Sequence, residues 1–194
     1  MKLYSIRHLK TPWNLEGKLQ GRKNIDILPP NVETLDNIQK NQTILGQLPS
    51  FDLVLVSRLK RTQQTAELYK FNNFLIESLI DELDFGTLEG EPNSILKSPL
   101  YQQWSQNPRY LKLGESLINL ENRILAFLTK YQEFKNILIF SHGAWMRGLL
   151  SIIEYGNVNG MNTTPFYLKH NELLKIEIQN SNNGEFIGNW KRLK

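Results

Sequence analysis

The fold is indicated first by the stretch ILIFSHG, residues 137–143, and by a similar stretch near the start of the chain, KLYSIRH, residues 2–8. Each contains a short apolar run that leads into a histidine. Runs of this length, bounded by polar residues or glycine, are typical of buried parallel strands. In open α/β sheets, ligands bind just beyond the carboxyl ends of such strands. The two runs therefore predict one reactive site that receives His8 and His142 from distant parts of the chain.

The rest of the sequence predicts an α/β fold in three layers (α/β/α), with a mostly parallel sheet and helices on both faces. Helical spacing and a capping residue at Ser57 predict helices over 31–48, 57–69, 116–131 and 144–154. We expect the remaining strands at 51–56, 74–77, 166–168, 173–178 and 186–190. The irregular segment from about 79 to 115 predicts a small helical cap inserted into one domain that spans residues 1–194.

Composition limits the class of protein. With 194 residues, 40% hydrophobic and 22% charged, the chain is typical of globular domains. It has no apolar stretch of the roughly 18 residues that span a bilayer and no secretory signal pattern, so we expect a cytoplasmic protein without a membrane partner. Cysteine is absent, which excludes a thiol nucleophile. The net charge of +4 comes from scattered residues, which argues against nucleic-acid binding but suits small anionic substrates.

The predicted strand ends carry groups that suit phosphate chemistry. Arg7 and His8 follow the first strand, Arg61 follows the second, and His142 and Gly143 open a helix. Helix N-termini favour bound anions, and guanidinium groups match phosphate oxygens in pairs. A histidine in such a cradle can act as a nucleophile towards phosphorus. A proton donor could come from the acidic segment 81–90, although an acidic loop taken alone is more often solvated surface.

Six sequence motifs occur in order along the chain. They are Arg7-His8; Thr11, Asn14, Gln20 and Gly21; Ser57-x-Leu59-x-Arg61-Thr62-x-x-Thr65-Ala66; Glu82 with Phe85-Gly86 and Glu89-Gly90; Gly114-Glu115-Ser116 with Arg123; and Ser141-His142-Gly143. In this order and spacing, the chain resembles the histidine phosphatase superfamily, also called the phosphoglycerate mutase-like family. The resemblance covers nearly the whole length.

The resemblance implies a role for each matching residue. His8 would be the nucleophile that becomes phosphohistidine, and Glu82 would be the proton donor to the leaving group. Further side chains would bind the transferred phosphoryl group: Arg7, Arg61 and His142. The pocket would be completed by Asn14, Gln20 and the backbone N–H groups of Gly21 and Gly143. The family needs no metal, and we expect no cofactor for this chain.

The sequence departs from the family pattern after the nucleophile, where Leu9 and Lys10 replace the usual Gly and Glu. We expect an ordinary backbone angle at Leu9, and either a solvated Lys10 or one that favours anionic substrates. We expect His170 to have a structural role or to lie on the surface. Arg58 could line the rim of the site, but the motif favours Arg61.

The expected function is metal-independent hydrolysis of a small phosphorylated metabolite, with α-ribazole phosphate or a sugar phosphate as candidates. The short segment between Glu82 and Gly114 favours a phosphatase over a mutase, which would need more cover for its phosphohistidine. A cofactor-dependent phosphoglycerate mutase and a non-catalytic phospholigand-binding module remain the alternatives. The sequence does not distinguish a monomer from a homodimer.

Overall fold

A six-stranded sheet forms the middle layer of the computed structural model, which describes residues 1–181 and 183–194. The strands, in chain order, are β1 (Lys2–Arg7), β2 (Leu53–Val56), β3 (Leu75–Ile76), β4 (Asn136–Ser141), β5 (Leu173–Asn180) and β6 (Phe186–Arg192). Their order across the sheet is β3-β2-β4-β1-β5-β6. The first four strands pair in parallel, whereas β5 and β6 are antiparallel to their neighbours.

Helices cover both faces of the sheet. They are α1 (Pro12–Leu15), α2 (Val32–Gly46), α3 (Lys60–Leu68), α4 (Gln103–Gln106), α5 (Leu117–Tyr131) and α6 (Gly143–Tyr155). Side chains alternate along each strand, so Ile137 and Ile139 pack in the cluster under α5 and α6, whereas Leu138 and Phe140 pack in the cluster under α2 and α3. This alternation produces the three layers that the sequence predicts.

The register of the parallel strands brings the predicted strand ends together. Arg7 lies opposite Ser141, and Phe140 lies opposite Val56. The residues that follow these strands, His8, Ser57 and His142, therefore leave the sheet at the same edge. As the sequence indicates, this edge is the carboxyl end of the parallel strands.

Two local predictions are wrong. The expected strand over 166–168 does not form: Phe166 ends a 3₁₀ turn over Thr164–Phe166, and the carbonyls of Tyr167 and Leu168 accept hydrogen bonds from the side chains of Arg192 and Arg7, not from a neighbouring strand. Ser57 does not cap α3, whose N-cap is Leu59. The Ser57 hydroxyl instead accepts a hydrogen bond from the Leu59 N–H, which forms a turn ahead of the helix.

The segment after β3 consists of short helical turns. Its 3₁₀ turns, besides α4, cover Ser78–Ile80, Gly86–Leu88, Asn93–Lys97, Pro99–Tyr101 and Pro108–Tyr110. The segment is tied to the loop after β1, where the Asn93 N–H donates to the Gly17 carbonyl at 2.7 Å and the Leu19 N–H donates to the Glu91 carbonyl at 2.9 Å. It therefore lies next to the edge where the strands end. None of the helices in the described part of the chain has the length and apolar character needed to cross a bilayer.

Candidate active site

A cavity of about 300 Å³ lies at the carboxyl edge of the sheet. Nearly all site residues predicted from the sequence line it: Arg7, His8, Asn14, Gln20, Gly21, Arg61, Glu82 and Gly143. His142 lies just behind the wall, with its ring centroid 5.2 Å from that of His8. The cap segment contributes Asn93, Leu96 and Trp104.

His8 is held as a neutral imidazole with one ring nitrogen available. Its Nδ1–H donates to the Leu9 carbonyl at 2.7 Å, which leaves the proton off Nε2. Burial lowers the pKa of His8 well below its ordinary value, and the nearby side chains of Arg61, His170 and Arg7 lower it further. An unprotonated Nε2 at neutral pH is what a nucleophilic histidine requires.

His142 makes hydrogen bonds to protein through both ring nitrogens. The Arg61 Nε–H donates to its Nδ1 at 3.2 Å, so the ring proton lies on Nε2 and is donated to the Ser57 hydroxyl at 2.7 Å. The Ser57 hydroxyl in turn lies 2.9 Å from the Thr62 hydroxyl, which donates to the Leu59 carbonyl at 2.8 Å. Burial and the charge of Arg61 hold the pKa of His142 well below its usual range. In this state, His142 orients Arg61 and has no ring N–H free for a ligand.

Arg7 and Arg61 are oriented by carbonyl groups, not by carboxylates. Arg61 is 1% exposed and donates to the carbonyls of Gly21 at 2.7 Å and Lys23 at 2.8 Å. Arg7 donates to the Leu168 carbonyl at 2.5 Å, and its buried Nε has no partner within the described chain. Neither guanidinium forms an ion pair within the described residues. Burial lowers the pKa of each to about 10, yet both remain charged at neutral pH.

Unpaired buried charges are unfavourable unless a counter-charge is supplied. A bound phosphoryl group would supply it, and guanidinium N–H groups match its oxygens well. Arg7 and Arg61 are therefore placed where they could hold an anion, whose charge would offset the cost of burying them.

Glu82 joins the acidic loop to the start of α6. Its Oε1 accepts hydrogen bonds from the N–H groups of Leu83, Ala144 and Trp145, at 2.9, 3.1 and 3.0 Å. Its Oε2 accepts only the shared N–H of Ala144, at 3.1 Å. Because Oε2 is the less occupied oxygen and Glu82 lines the cavity, Oε2 is the atom that can carry and release a proton.

Arg123 and Glu115 hold the backbone that carries Glu82. Arg123 donates to the carbonyls of Leu79, Asp81 and Glu82, and its Nε lies 2.7 Å from Glu115 Oε1. These two motif residues therefore position the acidic loop and do not line the cavity.

The structure also separates the two arginines after β2. The Arg58 guanidinium pairs with the Asp81 carboxylate at 2.6 Å, outside the cavity, whereas Arg61 lies inside it.

Two amide side chains present donors to the cavity. The Thr11 hydroxyl lies 2.9 Å from Gln20 Oε1 and 3.1 Å from Asn14 Oδ1, so the amide oxygens face Thr11. This leaves the NH₂ groups of Asn14 and Gln20 free to donate to a ligand. Gly21, expected to offer an N–H, offers its carbonyl to Arg61. Its φ of +52° and the Glu89 carboxylate, which a Cβ atom here would overlap, leave room only for glycine.

Gly143 is required by the packing of Arg7. A Cβ atom at position 143 would lie 3.0 Å from Cζ and 3.1 Å from Nη2 of Arg7. As the first residue of α6, Gly143 also has an N–H without an acceptor inside the helix. The glycine thus brings a guanidinium and a free helix N–H to the same place.

Sequence reasoning missed two residues of the cavity. His170, expected to be structural or superficial, lines it, with its ring 5.3 Å from that of His8 and its Nδ1–H donating to the His8 carbonyl at 3.0 Å. Arg147 also lines it, five residues after His142 along α6. The position of Arg147, one helical turn beyond Gly143 on the same face, was a readable signal. His170 reaches the cavity through a turn in which Asn171 has a φ of 63°. No periodic pattern in the sequence predicts such a turn.

Leu9 and Lys10, which stand where the family usually has Gly and Glu, have little effect on the site. Leu9 has no positive φ and packs in the core under α2 and α3, while its N–H donates to the Thr65 hydroxyl at 3.1 Å. Lys10 is exposed, and its charge is one of the smaller causes that lower the pKa of His170 to about 3 after burial and Arg7.

Comparison with known proteins places this geometry in a family. The family model of the histidine phosphatase superfamily (branch 1) matches residues 3–184. The chain belongs to the histidine phosphatase superfamily. This result confirms the family and the α/β fold that the sequence predicts.

Individual relatives of the superfamily agree. The chain is 30% identical over 164 residues to the adenosylcobalamin/alpha-ribazole phosphatase of Escherichia coli (strain K12), a match that covers 79% of this chain and 77% of that protein. It is 29% identical over 163 residues to phosphoserine phosphatase 1 of Hydrogenobacter thermophilus, over 77% of this chain and 74% of that protein. The crystal structure of the alpha-ribazole phosphatase from Shigella flexneri matches with a TM-score of 0.73 and 26% identity, over 92% of this chain and 91% of that chain. The predicted class of enzyme, a phosphatase of this superfamily, is confirmed.

The first prediction concerns Gly143→Ala. The added methyl group should displace the Arg7 guanidinium and weaken binding of inorganic phosphate by about ten-fold, the effect of losing one charge-assisted hydrogen bond. Isothermal titration calorimetry would measure the affinity. Gly46→Ala is the matched control, since nothing lies within 4 Å of the Cβ position there. Equal affinities for both variants and the wild type would contradict the contact.

The second prediction concerns pH and stability. His8 and His142 have lowered pKa values in the folded state, so below about pH 6.5 only the unfolded chain binds these protons. Their contribution to stability is therefore present above that pH and is lost as the pH falls. The free energy of unfolding should therefore be lower at about pH 5 than at neutral pH.

Urea denaturation at neutral and acidic pH would measure this dependence for the wild type and His142→Gln. The variant should show a smaller difference between the two pH values, whatever its own stability. An unchanged difference would mean that His142 titrates normally in the folded protein.

Proposed function

We propose that the chain is a metal-independent phosphomonoester hydrolase that acts through a phosphohistidine on His8. The observation that carries this proposal is the neutral His8, whose Nδ1–H is fixed by the Leu9 carbonyl and whose Nε2 is left unprotonated in a cavity that the guanidinium groups of Arg7 and Arg61 also line. A nucleophile and an anion cradle thus share one space of about 300 Å³, the size of a small-metabolite site.

In the first half of the reaction, the Nε2 lone pair of His8 attacks phosphorus as the bond to the leaving oxygen breaks. Arg7 and Arg61, with the amide donors of Asn14 and Gln20 and the N–H of Gly143, stabilise the charge on the phosphoryl oxygens. Glu82 transfers the proton on Oε2 to the leaving oxygen, so an alcohol departs and a carboxylate remains.

In the second half, the Glu82 carboxylate accepts a proton from a water molecule as the water oxygen attacks phosphorus. The P–N bond breaks, its electron pair returns to His8 Nε2, and inorganic phosphate leaves. Glu82 is then protonated again, which restores the starting state. His142 acts in both halves by orienting Arg61 through its Nδ1.

Independence from metal ions is supported by the donor chemistry of the cavity. Arginines and backbone N–H groups provide the positive charge that Mg²⁺ provides in many phosphoryl-transfer enzymes. In the part of the chain that the structure describes, no group of three or more His, Asp or Glu side chains is placed to hold a metal ion.

The substrate is proposed to be a small phosphorylated metabolite. α-Ribazole phosphate, phosphoserine and sugar phosphates are the first candidates, because relatives are named for the first two and the sequence motifs suit the phosphatase branch. Phe85 and Trp104, with ring centroids 6.0 Å apart, give the cavity an apolar side that a carbon skeleton could contact.

The broader arrangement also remains a proposal. We take residues 1–194 as one domain of this superfamily, with residues 79–115 as its cap, which the hydrogen bonds to the loop after β1 support. A cytoplasmic location remains a prediction. The mutase and binding-module alternatives are distinguished by the first experiment below.

The third prediction is a trapped phosphoenzyme. Wild-type protein given a radiolabelled phosphomonoester in the presence of EDTA should release phosphate and form an acid-labile, alkali-stable phosphoprotein. His8→Gln should do neither, because its side chain has no nucleophilic nitrogen. Transfer of the label to an isomeric product without net release would identify a mutase instead. Ligand binding without turnover in both proteins would identify a binding module, and loss of activity with EDTA would contradict metal independence.

The fourth prediction concerns Glu82→Gln, which cannot protonate the leaving oxygen. Hydrolysis of alkyl phosphates should slow by about 10²–10⁴-fold, whereas an activated aryl phosphate should be much less affected because its leaving group needs no proton. Glu91→Gln is the control, as it removes an exposed carboxylate from the same loop. If both substrates slow equally in Glu82→Gln, another group donates the proton.

A further inference from the structure

His170 brings a ring nitrogen to the cavity that the proposed mechanism does not use. His170 lines the cavity, with its ring centroid 5.3 Å from that of His8. Its Nδ1–H donates to the His8 carbonyl at 3.0 Å, so the other ring nitrogen, Nε2, carries a lone pair and no proton. Within residues 1–181 and 183–194, Nε2 makes no hydrogen bond, and it is not one of the atoms sealed in the core without a partner. The lone pair is therefore open to a ligand in the cavity.

The turn that carries His170 is held by three elements of the fold. The next residue, Asn171, has a φ of 63°, which is uncommon for a residue other than glycine. Its N–H donates to the Arg7 carbonyl at 2.9 Å, and its carbonyl accepts from the Asn41 amide at 2.9 Å. Its side-chain oxygen accepts from the Tyr69 hydroxyl at 2.5 Å. Contacts from β1, from α2 and from the end of α3 thus fix the position of Nε2 before a ligand binds, which lowers the entropy cost of a hydrogen bond to that ligand.

The surroundings of His170 keep its ring neutral. Burial, and after it the charge of Arg7, lower the pKa of His170 to about 3. At neutral pH, Nε2 is therefore a hydrogen-bond acceptor and has no proton to donate to a phosphoryl oxygen. A phosphoryl oxygen at this nitrogen would bring two acceptors together. The partner of Nε2 must be a donor group elsewhere on the ligand.

The charge of the cavity decides which kind of donor fits. Arg7, Arg61 and Arg147 all line the cavity, and the charge of Arg7 is the one that acts most strongly on His170. These guanidinium groups would repel an ammonium group placed at Nε2. A hydroxyl group is neutral and can donate to the ring nitrogen without this repulsion. The fitting donor is therefore a hydroxyl.

We infer that His170 is a specificity residue whose Nε2 accepts a hydrogen bond from a hydroxyl group on the carbon skeleton of the substrate. This inference rests on the proposed function for the place of the phosphate. Because the rings of His8 and His170 are 5.3 Å apart, the hydroxyl lies within a few bonds of the phosphate ester. The substrate class is the phosphate esters of sugars and polyols, which includes α-ribazole phosphate through its ribose hydroxyls. Phosphoserine carries an ammonium group in place of a free alcohol and should be the poorer substrate.

Two matched pairs of compounds test the inference by hydrolysis. In one pair, glycerol 3-phosphate carries hydroxyl groups that propyl phosphate lacks. In the other, ribose 5-phosphate carries ring hydroxyls that tetrahydrofurfuryl phosphate lacks. The wild type should prefer the hydroxylated member of at least one pair by about ten-fold in kcat/KM, the effect of one hydrogen bond whose loss leaves Nε2 unpaired. The absence of a preference in both pairs would overturn the inference.

Two variants of His170 separate the acceptor at Nε2 from the hydrogen bond that Nδ1 makes to His8. The amide nitrogen of His170→Asn can replace Nδ1, but the side chain has no atom at the position of Nε2, so the preference should disappear. The longer side chain of His170→Gln places an amide oxygen near the position of Nε2 and should keep part of the preference. Full preference in His170→Asn would contradict the inference. An equal loss on all four compounds in His170→Asn would do so too, because His170 would then support His8 or bind the transferred phosphate.

Tyr167→Phe is the matched control. Tyr167 also lines the cavity, and its hydroxyl is a second group that could accept a hydrogen bond from the substrate. The control should keep the full preference for the hydroxylated compounds. Loss of the preference in Tyr167→Phe together with its retention in His170→Asn would assign the contact to Tyr167 and overturn the inference.

Binding to His8→Gln provides a readout that does not depend on turnover, and this change leaves the backbone carbonyl that His170 contacts in place. Titration of the four compounds into this variant should show the same preference in Kd, and the additional change His170→Asn should abolish it. If hydrolysis fails with every compound but this binding preference is present, the proposed reaction is wrong and the role of His170 stands. If hydrolysis proceeds through His8 without any preference, the reaction stands and the role of His170 is wrong.

Discussion

The parallel register of β1, β4 and β2 is the constraint on which the rest of the molecule depends. Arg7 lies opposite Ser141, and Phe140 lies opposite Val56. The residues that follow β1, β4 and β2 therefore leave the sheet at the same edge. A shift of one residue in either pairing would turn alternate side chains to the opposite face and separate His8 from His142. The buried side chains of β4, which pack under helices on both faces, fix this register. The relative positions of the site residues thus depend on the packing of the core.

Arg7 and Arg61 keep their positive charge because carbonyl groups, not carboxylates, orient them. Arg61 and Arg7 are oriented by the carbonyls of Gly21, Lys23 and Leu168, whose partial charges direct the guanidinium groups without neutralising them. The carboxylates that do pair with arginines, such as Glu115 with Arg123, lie behind the acidic loop. The carboxylate that lines the cavity, that of Glu82, has its Oε1 occupied by backbone N–H groups. The positive charges of Arg7 and Arg61 are therefore left to attract an anionic ligand.

The layers, the sheet edge and most of the cavity could be predicted from the sequence, because each rests on a local pattern. Apolar runs indicate the strands, and the residues after them must meet at one edge. The features that could not be predicted depend on tertiary contacts. Whether Ser57 caps a helix or contacts His142 is decided by a strand about 80 residues away, and His170 reaches the cavity only because of the turn at Asn171. The surroundings of Arg147 could not be foreseen either, since its place in the cavity with Glu82 depends on the complete fold.

The unpaired guanidinium groups have a consequence for the protein as a polypeptide, apart from any reaction. A ligand that binds only the folded chain stabilises it by an amount that grows with the ligand concentration, about 2.7 kcal/mol when the ligand is present at a hundred times its Kd. Here the folded state retains repulsion between Arg7 and Arg147 that any suitable anion would relieve. The melting temperature of this chain therefore depends on the anions in its buffer as well as on the chain itself. An anion that binds the folded chain would also protect it against unfolding and proteolysis.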